Sequence, residues 1–218
     1  MDTYKKELYK QRRNIGLLGM MLPFLLYFGS DIEKVLSSFS HYYYTRSSLF
    51  FIAIIFAFAI MLFSYQGYEK LPSEKISDNV ITSIAAFFAV VVVLVPTTSM
   101  NAEGPIHFTD SPYLFGHVDN MTKKYIHLGS AGIFISLLGY MSYFKFTLSS
   151  NNSQGLNMFY KTCGIIIWAS IVIMIVLMIL EKQGVEVGFP YVFVFEVVAI
   201  EAFAISWLRK AKTVQFLA

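Results

Sequence analysis

The sequence predicts an all-α fold, a six-helix transmembrane bundle with the N- and C-termini cytoplasmic. Three observations lead to this prediction. Of the 218 residues, 56% are hydrophobic and only 14% are charged, whereas an average soluble domain has about 25% charged residues. Apolar stretches of the length that crosses a bilayer as a helix, about 17–25 residues, recur between charged residues. Lysine and arginine are concentrated in alternate connections, which is typical of an oriented membrane protein.

The six spans follow one another in a single integral membrane domain, residues 1–218. The first follows the charged segment 1–13 without a small-residue cleavage site, so we expect a retained helix, with a kink at Pro23. Pro96 marks a stop in the third span. The predicted spans are 14–30, 47–68, 79–102, 125–144, 162–180 and 187–208. Charged residues bound them: Arg13 and Asp31, Arg46 and Glu69, Asp78 and Glu103, Lys124 and Lys145, Lys161 and Glu181, and Arg209.

The basic residues predict the orientation. With a cytoplasmic N-terminus, the inner side carries Lys5, Lys6, Lys10, Arg12, Arg13, Lys70, Lys75, Lys145, Lys161, Arg209, Lys210 and Lys212. The outer side carries only Lys34, Arg46, Lys123, Lys124 and Lys182. By the positive-inside rule we expect a multi-pass protein of the inner (plasma) membrane.

Composition also restricts the function. It excludes an ordinary soluble enzyme, a disordered chain and a disulfide scaffold. Cys163 is the single cysteine, so the chain has no intramolecular disulfide and no CxxC metal site. The small net charge of +3 indicates membrane orientation rather than nucleic-acid binding. We expect membrane lipids and no nucleic acid as partners, and the sequence leaves open a homo-oligomer.

An acid inside the sixth span is the strongest functional signal. Insertion of an ionisable side chain into the bilayer costs about 2.5–3.5 kcal/mol. Counted from Val187 at about 1.5 Å per residue, Glu196 lies roughly 14 Å deep, near the midplane of a ~30 Å core. Ser136 and Ser170 have the same depth in the fourth and fifth spans, so we expect a buried polar layer of these three residues. A purely structural clamp between helices explains Glu196 equally well.

Glu201 is the second acid of the sixth span. It follows Glu196 by five residues and therefore points in a different direction. Its expected partners are basic residues at inner helix ends, namely Lys145, Lys161 or Arg209. A structural role is the favoured interpretation for Glu201.

Histidines on the predicted outer side are a second signal. The chain has His41, His107, His117 and His127 there, with Asp110 and Asp119 in the same loop. Histidine and carboxylate side chains bind zinc and other divalent ions. A metal site would use His41 and His127, with His117 or Asp119, and would bring the rings of His41 and His127 within about 5 Å. No tight motif such as HExxH is present, so four unrelated histidines are the favoured alternative.

Short motifs are spread over most of the chain. They are 40–45, 63–68 with Asp78 and Asn79, 95–97, His127 with Ala131, Cys163 with Gly164, Glu196, and 204–208. In these motifs the chain resembles a widespread, uncharacterised bacterial family of small polytopic inner-membrane proteins. The resemblance implies a bacterial inner-membrane location and no particular activity.

Ser37 and His41 have a Ser-x3-His spacing. In this respect the chain has a much weaker resemblance to the membrane hydrolases that include alkaline ceramidases. Those enzymes also use an aspartate and a paired histidine motif around zinc. The present chain lacks the paired motif, its nearest acid past the second helix is on the wrong side, and it has one span too few.

Three functions remain open. In the first, a carrier, channel or sensor uses the layer around Glu196 to bind a proton, a cation or a polar head group. In the second, a membrane-embedded metal-dependent hydrolase uses His41 and His127 to hold an ion such as zinc, which lowers the pKa of a bound water. The third is a non-catalytic membrane scaffold. We favour the first, because intramembrane acids arise by chance less often than loop histidines.

Overall fold

The chain is all-helical wherever its structure is described. A computed structural model describes residues 3–68, 70–72, 74–97, 121–149 and 152–212, and within these ranges there is no strand. The α-helices are α1 (Thr3–Gly29), α2 (Ser48–Phe63), α3 (Asp78–Leu94), α4 (Met121–Tyr140), α5 (Gln154–Lys182) and α6 (Tyr191–Lys210). A 3-10 segment, η1 (Phe39–Tyr44), precedes α2. A π-helical segment, Met141–Lys145, and a 3-10 turn, Phe146–Leu148, continue α4.

Three helical segments are long and apolar enough to cross a membrane, which indicates a membrane protein. They are Thr122–Leu148, Gln154–Lys182 and Tyr191–Lys210. The helices α2 and α3 are also apolar but shorter, with 16 and 17 residues. Many large apolar side chains of α5 are exposed, as expected of a surface that faces lipid and not water: Ile165, Ile166, Val172, Ile173, Ile175, Val176 and Ile179.

Polar caps and a proline determine where several helices begin and end. Ser77 and Ser153 accept hydrogen bonds from the first-turn amides of α3 and α5, as N-cap residues do. The helix α3 ends at Leu94, two residues before Pro96. The stop expected at Pro96 is therefore confirmed, whereas the predicted span to residue 102 was too long. Residues 98–102 lie outside the described residues.

Glycines allow two pairs of helices to approach closely. A Cβ atom at Gly16 of α1 would lie 2.7 Å from Cγ of Leu208 in α6. A Cβ atom at Gly164 of α5 would lie 2.6 Å from Cβ of Tyr143, in the π-helical continuation of α4. Such contacts leave no room for a side chain, which is a common way of packing helices in membranes.

The helix α6 runs antiparallel to α1, and this arrangement defines two ends. We call the base the end at which α1 begins and α6 ends, and the top the opposite end. The segment η1 lies at the top, where it packs against α1, α2 and α6. The amide of Phe193 donates to the carbonyl of Ser37 at 2.9 Å, and the rings of Phe39 and Phe193 lie 5.3 Å apart. This docking of η1 positions the site described next.

A buried serine–histidine–glutamate cluster

The centre of the cluster is a hydrogen-bonded chain through His127. The Nε2 atom of His127 lies 2.6 Å from the hydroxyl oxygen of Ser40, and its Nδ1 atom lies 2.7 Å from the carbonyl oxygen of Val95. A carbonyl only accepts, so Nδ1 carries the hydrogen, and in the neutral ring Nε2 accepts from Ser40. Both side chains are buried, with exposed fractions of 7% for Ser40 and 1% for His127. This series of hydrogen bonds joins η1 to α4 and to the C-terminal end of α3.

Local sequence explains why Val95 can accept from His127. The last carbonyls of a helix have no partner within the helix. The helix α3 ends at Leu94, and Pro96 has no amide hydrogen with which to continue it. The amide of Val95 still donates to Val91, while its carbonyl is left for His127. The end of the helix before Pro96 therefore leaves the Val95 carbonyl available to orient the histidine ring.

Glu196 of α6 is the second titratable group that contacts η1. Its Oε2 atom accepts a hydrogen bond of 2.6 Å from the amide of Phe39. Phe39 directly precedes Ser40, so His127 and Glu196 hold adjacent residues of η1 from two different helices. The exposed fractions of these side chains show that this contact lies inside the protein: Phe39 is 7% exposed, and Glu196 is half-buried.

His41 forms the third polar contact of the cluster. Its Nδ1 atom lies 2.9 Å from the hydroxyl oxygen of Ser37 and 3.3 Å from that of Ser38. Burial, together with the nearby His127 and Lys124, lowers the pKa of His41 to about 4. His41 is therefore neutral at physiological pH. The Ser-x3-His spacing thus corresponds to a real contact between Ser37 and His41.

The predicted layer of Glu196, Ser136 and Ser170 does not form through hydrogen bonds. Among the described residues, Glu196 bonds to Phe39, while the Ser170 hydroxyl donates to Ile166 of its own helix. Ser136 contributes only its carbonyl, which accepts from Trp168. The helix α6 begins at Tyr191 and not at the predicted boundary, residue 187. Glu196 is about 7.5 Å from the start of the helix, level with η1.

Glu201 is also without the partners expected for it. Its Oε1 atom is buried and has no hydrogen-bond partner within the described ranges. Lys145 instead pairs with Glu74 and Asp78. The ion pair expected between Glu201 and a basic residue, including Lys161 or Arg209, is absent from the described part of the chain.

The metal hypothesis has limited support in the described ranges. No three His, Cys, Asp or Glu side chains there are grouped as metal ligands would be. Both ring nitrogens of His127 are already engaged, so a metal would have to replace Ser40 or Val95. His41 and His127 are close enough to influence each other electrostatically. The remaining predicted residues of that site, namely His117, Asp119, His107 and Asp110, lie outside the described residues.

Sequence reasoning paired His41 with Ser37 but missed the partners of the other two titratable groups. It identified His41, His127 and Glu196, but not Ser40 as the partner of His127 or Phe39 as the partner of Glu196. The motifs that carry the bacterial resemblance gave a usable signal, because Ser40, Val95, His127 and Glu196 all belong to them. These four residues come together at the top of the structure.

Fold and site together define a class, an all-helical membrane protein with a buried Ser–His–Glu cluster at one end. Comparison with known proteins does not define this class further, since no family model, no curated protein and no solved structure matches the chain.

Proposed function

We propose that this chain is a six-span inner-membrane protein with both termini in the cytoplasm, and that its top cluster makes it a proton-responsive carrier or sensor. The three candidate spans and the apolar exposed face of α5 support the membrane location. The apolar character of α2 and α3 supports two further crossings. The excess of basic residues on the base side supports the orientation.

One observation carries the proton-responsive part of the proposal. Two titratable side chains, His127 of α4 and Glu196 of α6, hold adjacent residues of the short segment η1. Protonation of Glu196 weakens its bond from Phe39, because the amide hydrogen bond favours the carboxylate. Protonation of His127 places a hydrogen on Nε2, so that the Ser40 hydroxyl can no longer donate to it. Each proton therefore changes how η1 is held.

The surroundings of the cluster strengthen the electrostatic effect of a change in protonation. Within the described residues, the cluster also has His41 in η1 and Lys124, about one turn before His127 in α4. Neutral His41 adds hydrogen bonds but no charge. A change of protonation at Glu196 or His127 is thus a large local change of charge in a poorly hydrated region, where its electrostatic effect is stronger than in water.

Proton flux and η1 accessibility test the proposal on the full chain. Purified protein is reconstituted into proteoliposomes, and proton flux is followed with an internal pH dye. In a Cys163→Ala background, a Tyr43→Cys variant reports the accessibility of η1 to a thiol reagent between about pH 7.5 and about pH 5. We expect Glu196→Gln to abolish the pH response in flux, labelling or both.

Glu201→Gln is the matched control, since it makes the same change in the same helix away from η1. It should leave the pH response unchanged. Retention of the full response in Glu196→Gln, or its equal loss in both variants, would contradict the proposal. A response in flux indicates a carrier, and one in labelling alone indicates a sensor.

A membrane hydrolase is the second candidate, and a specific observation favours it. A serine hydroxyl 2.6 Å from a histidine nitrogen, with the other nitrogen oriented by an acceptor, is the arrangement that activates a nucleophile. Ser40 would be the nucleophile and His127 the base. A fluorophosphonate probe should then label the wild type and Ser170→Ala, but not Ser40→Ala. If the hydrolase depends on a metal, metal analysis should find about one tightly bound zinc per chain.

A further inference from the structure

The base of the structure contains a fully buried arginine that forms no ion pair with a carboxylate of the described residues. Arg12 of α1 has no exposed surface. Its Nε atom donates to the hydroxyl of Tyr65 at 2.9 Å, and its Nη1 atom donates to that of Tyr68 at 3.2 Å. Its Nη2 atom is buried and has no hydrogen-bond partner within the described ranges. An arginine stays protonated in proteins, so within the described part of the chain its positive charge has no carboxylate partner and the two N–H groups of Nη2 have no acceptor.

A second cation lies beside the same aromatic ring. Lys210, the last residue of α6, is 7% exposed, and its ammonium group donates to the carbonyl of Phe146 at 2.8 Å. The ring centroid of Tyr68 is 4.7 Å from the Arg12 guanidinium carbon and 5.8 Å from the Lys210 nitrogen. The negative faces of aromatic rings attract cations. They do not neutralise the charge.

A further donor lies next to this pair of cations. The indole Nε1 atom of Trp207 is buried and has no partner in the part of the chain that the structure describes. The Trp207 ring lies 5.1 Å from that of Tyr65, and the Arg12 guanidinium lies 5.7 Å from the same Tyr65 ring. Two buried donors without acceptors thus lie against Tyr65. Such donors are rare in native proteins, because each one forfeits the hydrogen bonds it made to water.

Lys145, also at the base, is a buried cation whose charge is neutralised by carboxylates. Lys145 lies 2.5 Å from a carboxylate oxygen of Glu74 and 3.4 Å from one of Asp78. It also donates to the carbonyl of Ile76. Both carboxylates pair with Lys145, and Asp78 also accepts a hydrogen bond of 3.4 Å from the amide of Tyr68. Among the described residues neither forms an ion pair with Arg12 or Lys210. The positive charge around Tyr68 therefore fits an acceptor from outside the chain.

We propose that Arg12, Lys210 and Tyr68 bind a phosphate group. The planar fork of arginine and the ammonium group of lysine are the side chains that most often hold phosphate oxygens. The Tyr68 hydroxyl accepts from Arg12, so its own hydrogen can be donated to an anion. Tyr68 is 41% exposed and so connects the cations to the surface. Anionic phospholipids and free phosphate share this chemistry, and basic sites between helices at the cytoplasmic side suit lipid head groups.

Thermal unfolding of the full chain in a neutral detergent tests this binding. The unfolding temperature is measured with phosphatidylglycerol, with phosphatidylcholine as the zwitterionic reference, and with inorganic phosphate, each as a titration. We expect stabilisation by phosphatidylglycerol above phosphatidylcholine, since ligands that bind only the folded state raise its stability. In Arg12→Gln and Lys210→Gln the apparent affinity should fall roughly tenfold or more, as for loss of a charge-assisted hydrogen bond.

Arg13→Gln is the control, because Arg13 neighbours Arg12 in sequence but is exposed. It removes the same charge and should retain the affinity of the wild type. If Arg12→Gln does not fold, Lys210→Gln decides. Stabilisation by inorganic phosphate as well indicates a site open to solution, and stabilisation by phosphatidylglycerol alone indicates a lipid site. The proposal is overturned if neither stabilises the wild type, or if Arg13→Gln weakens binding as much as Lys210→Gln does.

Discussion

The buried polar groups at the two ends of the molecule are stabilised in different ways. At the top, neutral hydroxyls and backbone groups satisfy His127, His41 and Glu196. At the base, charges dominate: Lys145 pairs with carboxylates, whereas the Nη2 atom of Arg12 has no partner among the described residues. Hydrogen bonds at the top depend on where protons reside, and we have proposed that the charge at the base binds an anion. The comparison suggests a proton-responsive end and an anion-binding end.

The largest expected effect concerns the compensated ion pairs at the base. Lys145→Met leaves the carboxylates of Glu74 and Asp78 without their cation. Loss of one partner of a buried pair typically destabilises by about 3–5 kcal/mol. Chemical denaturation in mixed micelles should show a loss of this order. Lys161→Met is the matched control, because Lys161 is exposed. A similar loss of stability in that variant would show that the buried ion pairs of Lys145 contribute no more than an exposed lysine does.

Removal of the Ser40 hydroxyl is the next largest expected effect. Ser40→Ala leaves the Nε2 atom of buried His127 without a donor, at an expected cost of about 1–3 kcal/mol. Ser170→Ala removes a hydroxyl that bonds only within its own helix, so a smaller loss is expected. The same denaturation assay compares the two variants. Equal losses would mean that the contact between Ser40 and His127 contributes nothing beyond local packing.

Acid should weaken the top through His41. Its pKa is lowered to about 4 in the folded protein, against about 6.5 when unfolded. The unfolded state therefore binds a proton first, so stability is fully present above about pH 6.5 and is lost as the pH falls toward about 4. Denaturation midpoints measured over this interval should be less pH-dependent in His41→Asn. An unchanged slope in that variant would show that His41 does not titrate in this way.

The smallest effect is expected at Glu201, which belongs to neither end. Its Oε1 atom is buried without a partner among the described residues, so Glu201→Leu removes a polar group that gains little from folding. Replacement of a poorly satisfied buried polar group by an apolar one is often neutral or stabilising. The unfolding midpoint should hold or rise. A clear loss of stability would reveal a partner for Glu201 and would disqualify it as a control for Glu196.

The lengths of apolar stretches and the charges that bound them located the helices well but not their ends. Lys161 was read as a boundary, yet α5 begins at Gln154, because a lysine can stay helical while its ammonium group reaches the interface. The start of α6 was placed at residue 187, although Pro190 suits the position just before a helix. This difference of four residues shortens the distance between Glu196 and the start of its helix to about 7.5 Å.

The sequence predicted individual residues of the site but not the contacts between them. The rarity of acids in apolar spans identified Glu196, and the stop at Pro96 was visible. The contact between Ser40 and His127 joins residues 87 positions apart, and no local pattern encodes such a distance. The role of Arg12 was hidden for a related reason. It looked like one of several basic residues that set orientation, and only the packing of α1 against α6 shows that it is buried.

Hydrogen exchange at the Phe39 amide tests the central claim most directly. This amide donates to Glu196, so its protection reports whether the carboxylate holds η1. We predict that, after correction for the intrinsic rate, wild-type protection of 37–45 falls on acidification from about pH 7.5 to about pH 5. In Glu196→Gln it should be constant, while Glu201→Gln should behave as the wild type. An identical pH dependence in wild type and Glu196→Gln would contradict the account.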